Sequence, residues 1–129
     1  MTDPRPSPII GVVDDDQRIL ESLQTLLESA DYDVRVFSSA RALLETPYLS
    51  EIDCLISDID MPVMDGFELL RLVHAARPEL PIIFITGHPE MLNRSQQIDP
   101  SHYKVFNKPF DGQELLTAVG DALRNPRQR

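Results

Sequence analysis

The chain has 129 residues, 42% of them apolar, which is enough for one domain with a full hydrophobic core, and no apolar run approaches the roughly 20 residues that span a bilayer. With 21 acids against 12 bases the formal charge is −9, which disfavours direct nucleic-acid binding, because phosphate contacts need a basic face. The single cysteine, Cys54, excludes an internal disulfide and a cysteine metal cluster, and its place in an apolar run reads as a buried, reduced thiol of a cytoplasmic protein.

Residues 1–8 contain three prolines and no apolar h-region, so they read as an extended lead-in and not as a secretory signal. Residues 9–13 form a short β-branched strand that stops at Asp14-Asp15-Asp16. Ile19, Leu20, Leu23, Leu26 and Leu27 share one face of a first helix, which any of these acids can cap. Residues 33–37 alternate as a second strand. Ser38 or Ser39 can cap a short helix through Ala42, Leu43 and Leu44, which Pro47 closes. The third strand, residues 52–57, runs into Asp58, and a helix over 64–76 buries Phe67, Leu69, Leu70, Leu72 and Val73.

Residues 80–85 are a fourth strand with Pro81 near its start, ended by Thr86-Gly87. A weak, polar helix is expected over 90–97, with only Met91, Leu92 and Ile98 to bury. Residues 103–106 form a fifth strand before Asn107-Lys108-Pro109. A last helix over 112–123 uses Leu115, Leu116, Val119 and Leu123, and residues 124–129 read as a frayed tail or the start of a linker.

Five strands alternating with five helices predict an α/β domain over 9–123. The expected architecture is a doubly wound five-stranded parallel sheet with helices on both faces, in the flavodoxin-like order 2-1-3-4-5. Its crevice lies between strands 1 and 3. Asp14 and Asp15 follow strand 1, Asp58 strand 3, Thr86 strand 4 and Lys108 strand 5, so the parallel sheet brings all of them to one edge. Each has a bland reading as a cap, a turn residue or a solvated charge, and their convergence is what points to a site.

Two carboxylates about 5 Å apart repel by roughly 3 kcal/mol at an effective dielectric near 20, so a cation should bind among them. All the ligands on offer are oxygens, which suits Mg²⁺. A carboxylate beside Mg²⁺, the Lys108 ammonium and the Thr86 hydroxyl is equipped to attack phosphorus. There is no His base, no G-x-x-x-x-G-K-[ST] loop and no Ser/His/Asp arrangement, and His74, His88 and His102 share no spacing. The site looks built to receive a phosphoryl group on Asp58, with no processing of a separate substrate.

The segments Val13-Asp14-Asp15-Asp16, Asp58-Ile59-Asp60-Met61-Pro62-Val63-Met64-Asp65-Gly66, Phe84-Ile85-Thr86-Gly87 and Lys108-Pro109-Phe110 resemble, in order and interval, a response-regulator receiver domain of bacterial two-component signalling. Phe84-Ile85-Thr86-Gly87-His88 most resembles receivers of the nitrogen-fixation regulator group that precede helix-turn-helix DNA-binding domains. The resemblance implies that Asp58 is the phosphoacceptor, that Asp15, Asp14 and Asp58 hold Mg²⁺ with the backbone carbonyl of Asp60, that Thr86 and Lys108 bind the phosphoryl group, and that Lys108-Pro109 is cis. It further implies a signalling domain that is no enzyme on an external substrate, phosphorylated by a sensor histidine kinase. Its output domain or partner protein is expected on the face formed by the fourth and fifth helices and the fifth strand, where a phosphorylation-dependent dimer is a further expectation.

Two departures stand out. The family's usual aromatic residue three places before the lysine is Val105 here, and either Phe106 or Tyr103 substitutes for it or Phe106 is ordinary core. Asp60 puts a carboxylate two residues after the acceptor, either acting on water and donors or merely solvated. A different class of reading is a haloacid-dehalogenase-type phosphatase, whose nucleophile-x-acid pair Asp58-Ile59-Asp60 matches, although that family places the pair after the first strand. A third is a receiver-like binding module that never needs phosphate.

Overall fold

The computed structural model describes residues 7–87 and 103–124. In chain order these form β1 (Ile9–Val13), α1 (Gln17–Ser29), β2 (Asp33–Phe37), α2 (Ala40–Glu45), a 3₁₀ turn (Pro47–Glu51), β3 (Cys54–Asp58), α3 (Gly66–Ala76), β4 (Ile82–Thr86), β5 (Tyr103–Asn107) and α4 (Gly112–Arg124). The strands make one sheet in the order β2-β1-β3-β4-β5, with every neighbouring pair parallel. This is the anticipated doubly wound arrangement. The helix expected over 90–97, together with His88 and His102, lies outside the described residues, so α4 is the last helix of the sequence reading.

Strand side chains divide between two layers, as the period of two requires. Ile10 and Val12 of β1, Cys54 and Ile56 of β3 and Ile83 and Ile85 of β4 pack with Leu20, Leu23 and Leu27 of α1 and Leu115, Ala118 and Val119 of α4. Val13, Leu55, Ile82 and Phe84 pack in the opposite layer with Leu43 of α2 and Phe67, Leu70 and Val73 of α3. Every residue of β3 and β4 is buried, which is why these strands read as unbroken apolar runs. Burial, and then the neighbouring Asp53 charge, push the Cys54 thiol up to about 12, so it is a packing group with no thiolate at neutral pH.

Side-chain caps set the helix starts. Asp16 accepts from the Arg18 N–H at 2.9 Å, Ser39 from the Ala42 N–H at 3.1 Å and Asp65 from the Glu68 N–H at 2.9 Å. Because Asp65 is a cap, α3 begins at Gly66 and not at Met64. Pro47, expected only to close α2, also opens the 3₁₀ turn, a first-turn position where its missing N–H is tolerated. Arg77, at the end of α3, ties this turn down by donating to the carbonyls of Leu49, at 2.9 Å, and Ile52.

Gly66 is a position where the packing leaves no room for a side chain. A Cβ there would lie 2.7 Å from the Asp58 carbonyl oxygen, 2.9 Å from Ile59 Cα and 2.9 Å from the Phe84 ring. Its N–H donates to the Ile59 carbonyl at 2.8 Å, so the start of α3 is pressed against the end of β3.

Candidate functional site

The carboxyl ends of four strands supply the site. Asp14 and Asp15 follow β1, Asp58 ends β3, Thr86 ends β4 and Lys108 follows β5. Carboxylate oxygens of Asp14, Asp15 and Asp58 all lie within 4.8 Å of one another. Lys108 Nζ donates to Asp14 Oδ2 at 3.2 Å and lies 3.7 Å from Asp58 Oδ2. The Lys108 N–H donates to the Thr86 carbonyl at 2.7 Å, joining the ends of β4 and β5, and Lys108-Pro109 is cis. Thus the side chains of Asp14, Asp15, Asp58 and Lys108 meet at the edge that the sequence singles out, and Thr86 ends the neighbouring strand β4, tied to Lys108 through its backbone.

Asp14 is fully buried and Asp58 is 4% exposed, whereas Asp15 faces solvent. Asp14 Oδ1 accepts from the Asp16 N–H at 2.9 Å, and Asp58 Oδ1 accepts from the Asp60 N–H at 3.3 Å. Burial, and then the Asp14 carboxylate, push the Asp58 carboxyl up to about 6, although Lys108 and the Asp60 amide pull the other way. Burial also raises Asp14, against the Asp16 amide and Lys108. One ammonium therefore does not balance three clustered carboxylates.

That imbalance is the test of fit for a metal. A set of carboxylate oxygens that is under-compensated, with one member open to solvent, suits a hard divalent cation that keeps part of its water shell. The Asp60 side chain is exposed and stands outside the three-acid group, and the role that the resemblance gives Asp60 belongs to its backbone carbonyl.

The sheet separates Phe106 from Val105. Val105 pairs with Phe84 and packs with the α2/α3 layer, whereas Phe106 pairs with Ile85 and packs with the α1/α4 layer. Phe106 thus lies partly buried on the face opposite Val105. The Tyr103 side chain lies outside the described residues.

Two supporting residues were not anticipated. Ser57 Oγ donates to the Asp58 carbonyl at 2.9 Å inside the core, and Gly66 lets α3 approach the same carbonyl. The available signal was a glycine as the first residue of a helix, directly after a capping Asp, where a better helix former would otherwise stand.

Residues 10–120 match the family described as the response regulator receiver domain. The chain is 38% identical over 122 residues to Response regulator protein TodT of Pseudomonas putida, covering 94% of this chain and 54% of that protein. It is 35% identical over 116 residues to Transcriptional regulatory protein FixJ of Bradyrhizobium diazoefficiens, covering 89% and 56%. A solved receiver-domain structure from Clostridium thermocellum matches with a TM-score of 0.82 at 28% identity, over 92% of this chain and 95% of that one. The chain spans about half the length of the curated relatives it matches. These matches, and the position of Asp58 after β3, do not favour the phosphatase reading. No helix among the described residues is long and apolar enough to cross a membrane.

Proposed function

The chain belongs to the response-regulator receiver domain family, and on that premise we propose that Asp58 is its phosphoacceptor and Mg²⁺ its cofactor. The observation that carries this reading is the cluster of Asp14, Asp15 and Asp58 around one ammonium at the end of the central strand. The family is a signalling family, and sensor histidine kinases are the partners of response regulators.

In the proposed reaction an Asp58 carboxylate oxygen attacks the phosphorus of a phosphohistidine. The O–P bond forms as the P–N bond breaks, and the electron pair leaves with the imidazole nitrogen. Asp58 must be ionised to attack, and with its carboxyl near 6 it is largely so at pH 7.5. Asp14, Asp15, Asp58 and the Asp60 carbonyl would hold Mg²⁺, which when bound supplies positive charge to the phosphoryl oxygens. Lys108, poised between Asp14 and Asp58, turns to a phosphoryl oxygen once Asp58 carries the acyl phosphate. The Thr86 hydroxyl binds a second oxygen and carries the signal away from the site.

The receiving surface in this reading comprises the segment between β4 and β5, β5 itself and α4, and it engages an output domain, a partner protein or a second copy. The cytoplasm is the proposed compartment, since the kinase's phosphohistidine must reach Asp58. The charge of −9 supports a domain that does not itself bind nucleic acid.

Incubation of the purified chain with phosphoramidate and Mg²⁺, followed by intact mass, tests the reading. The expected result is a gain of about 80 Da, one phosphoryl group, that disappears when EDTA replaces Mg²⁺. No gain with phosphoramidate or acetyl phosphate at any Mg²⁺ concentration would contradict it.

A further inference from the structure

Four polar residues are buried among those described: Asp14, Ser57, Asp58 and Thr86. Three of them are the residues assigned above to the metal and the phosphoryl group, and Ser57, fully buried, is the fourth. The row in which it stands is apolar. Ser57 pairs with Val13 of β1 and with Phe84 of β4, both in the α2/α3 layer. Packing alone asks for an apolar residue there, because a buried hydroxyl costs free energy unless it is bonded.

The hydroxyl is bonded to the backbone of the next residue, with Ser57 Oγ donating to the Asp58 carbonyl at 2.9 Å. The same carbonyl oxygen is hemmed in by the start of α3, since it lies 2.7 Å from where a Cβ on Gly66 would be. The peptide unit after it is fixed as well. Its Ile59 carbonyl accepts from the Gly66 N–H at 2.8 Å, and its Asp60 N–H donates to Asp58 Oδ1 at 3.3 Å. The next carbonyl along the chain is that of Asp60, the backbone oxygen assigned to Mg²⁺. Because each peptide unit is planar, turning the unit between residues 58 and 59 carries the Asp60 amide and carbonyl with it.

Resting on the reading of Asp58 as phosphoacceptor, we propose that Ser57 is a positioning residue for the metal: its hydroxyl locks the peptide unit after Asp58, so that the Asp58 carboxylate and the Asp60 carbonyl converge on one Mg²⁺. It acts through the Asp58 backbone and not by contact with the ion. Ligands held in advance by hydrogen bonds have less freedom to lose when the ion binds, so the buried hydroxyl is expressed as metal affinity.

The full chain is titrated with Mg²⁺ by calorimetry, with no phosphodonor, as wild type, Ser57→Ala, Ser57→Thr and Ser57→Val. Ser57→Ala adds no atom to the core. Ser57→Thr and Ser57→Val place the same shape at the position and differ in the hydroxyl, so any crowding cancels between them. Val119→Ala, which truncates a buried side chain of α4 in the opposite layer, controls for loss of stability alone. The Mg²⁺ dissociation constant is expected to rise about fivefold in Ser57→Ala, the factor that one neutral hydrogen bond supplies, and to be about fivefold higher in Ser57→Val than in Ser57→Thr. Val119→Ala should melt at a lower temperature and bind Mg²⁺ as wild type does. In phosphoramidate labelling of Ser57→Ala, the half-saturating Mg²⁺ concentration rises by the same factor while the rate at saturating Mg²⁺ is unchanged. Wild-type Mg²⁺ affinity in Ser57→Ala overturns the proposal, as does equal affinity in Ser57→Val and Ser57→Thr. So does an equal weakening in Val119→Ala. If phosphoramidate leaves wild type unlabelled, the Asp58 reading itself fails and takes this proposal with it, whereas the calorimetric differences decide the role of Ser57 alone.

Discussion

Asp58→Asn is expected to abolish phosphorylation and, at the same time, to make the metal-free domain more stable than wild type at pH 8, by on the order of 2 kcal/mol. The first effect follows because an amide does not replace the attacking carboxylate. The second follows from the position of the carboxyl, 4% exposed beside Asp14 and raised from 3.8 to about 6. A raised acid binds its proton more tightly in the folded chain than in the unfolded one. Between about pH 4 and 6 the folded state then holds more protons, and stability falls as pH rises. The contribution of the neutral carboxyl is complete below about pH 4 and lost above about pH 6, a difference of roughly 3 kcal/mol. Asparagine stays neutral throughout and retains most of it. In urea melts with EDTA, the stability difference between Asp58→Asn and wild type should widen from pH 4 to 6.5 and then level off. A variant less stable than wild type at pH 8 would contradict this. Saturating Mg²⁺ should stabilise wild type more than the variant, since a ligand of the native state adds stability in proportion to its affinity.

Gly66→Ala carries the second large effect, of the opposite sign. Two of the three atoms that its Cβ would meet, the Asp58 carbonyl oxygen at 2.7 Å and Ile59 Cα at 2.9 Å, are backbone. The third belongs to the Phe84 ring, which packs edge-on against Phe67 with centroids 5.4 Å apart. None is the free end of a flexible side chain, so either β3 or α3 must move. Overpacking of this kind costs about 2 to 3 kcal/mol, more than the gain of up to about 1 kcal/mol that alanine brings to a helix. The displaced atoms lie at the end of β3 and the start of the loop after it, which carry Asp58 and Asp60, so the apparent Mg²⁺ affinity should fall about tenfold, a loss near 1.4 kcal/mol. Gly120→Ala is the matched control. Its Cβ meets only Arg124 Nη1 at 3.5 Å and the Tyr32 hydroxyl at 4.0 Å, so it should stabilise α4 by about 0.5 to 1 kcal/mol and leave Mg²⁺ binding alone. Equal loss of stability in the two alanine variants, or unchanged Mg²⁺ affinity in Gly66→Ala, would contradict this account.

What was legible in the sequence shares one physical property: it is written in burial. β3 and β4 are buried on both faces, so their residues appear as apolar runs, and the polar residue that ends each run, Asp58 or Thr86, stands out against them. Parallel pairing then places those ends, with Asp14, Asp15 and Lys108, at one edge. The cis peptide at Lys108-Pro109 came from family resemblance, not from burial. What was not legible depends on backbone geometry between elements. The close approach at Gly66 and the positive φ at Val63 arise from how the loop returns to β3, which no hydrophobic period encodes. The 3₁₀ turn was missed because Pro47 signals a helix end and a helix start equally well. Phe106 was left open as a substitute for Val105 because adjacent strand residues differ only in face, and the register with β4 decides that.

The central claim is that the phosphoryl group resides on Asp58, and borohydride trapping tests it most directly. The wild-type chain is treated with phosphoramidate and Mg²⁺, reduced with borohydride and mapped by peptide mass spectrometry. Reduction converts an acyl phosphate to the alcohol, so the expected product is homoserine at position 58, with Asp14, Asp15 and Asp60 unchanged. Homoserine at any of those three positions, or phosphate found instead on a hydroxyl or a histidine, would contradict the assignment.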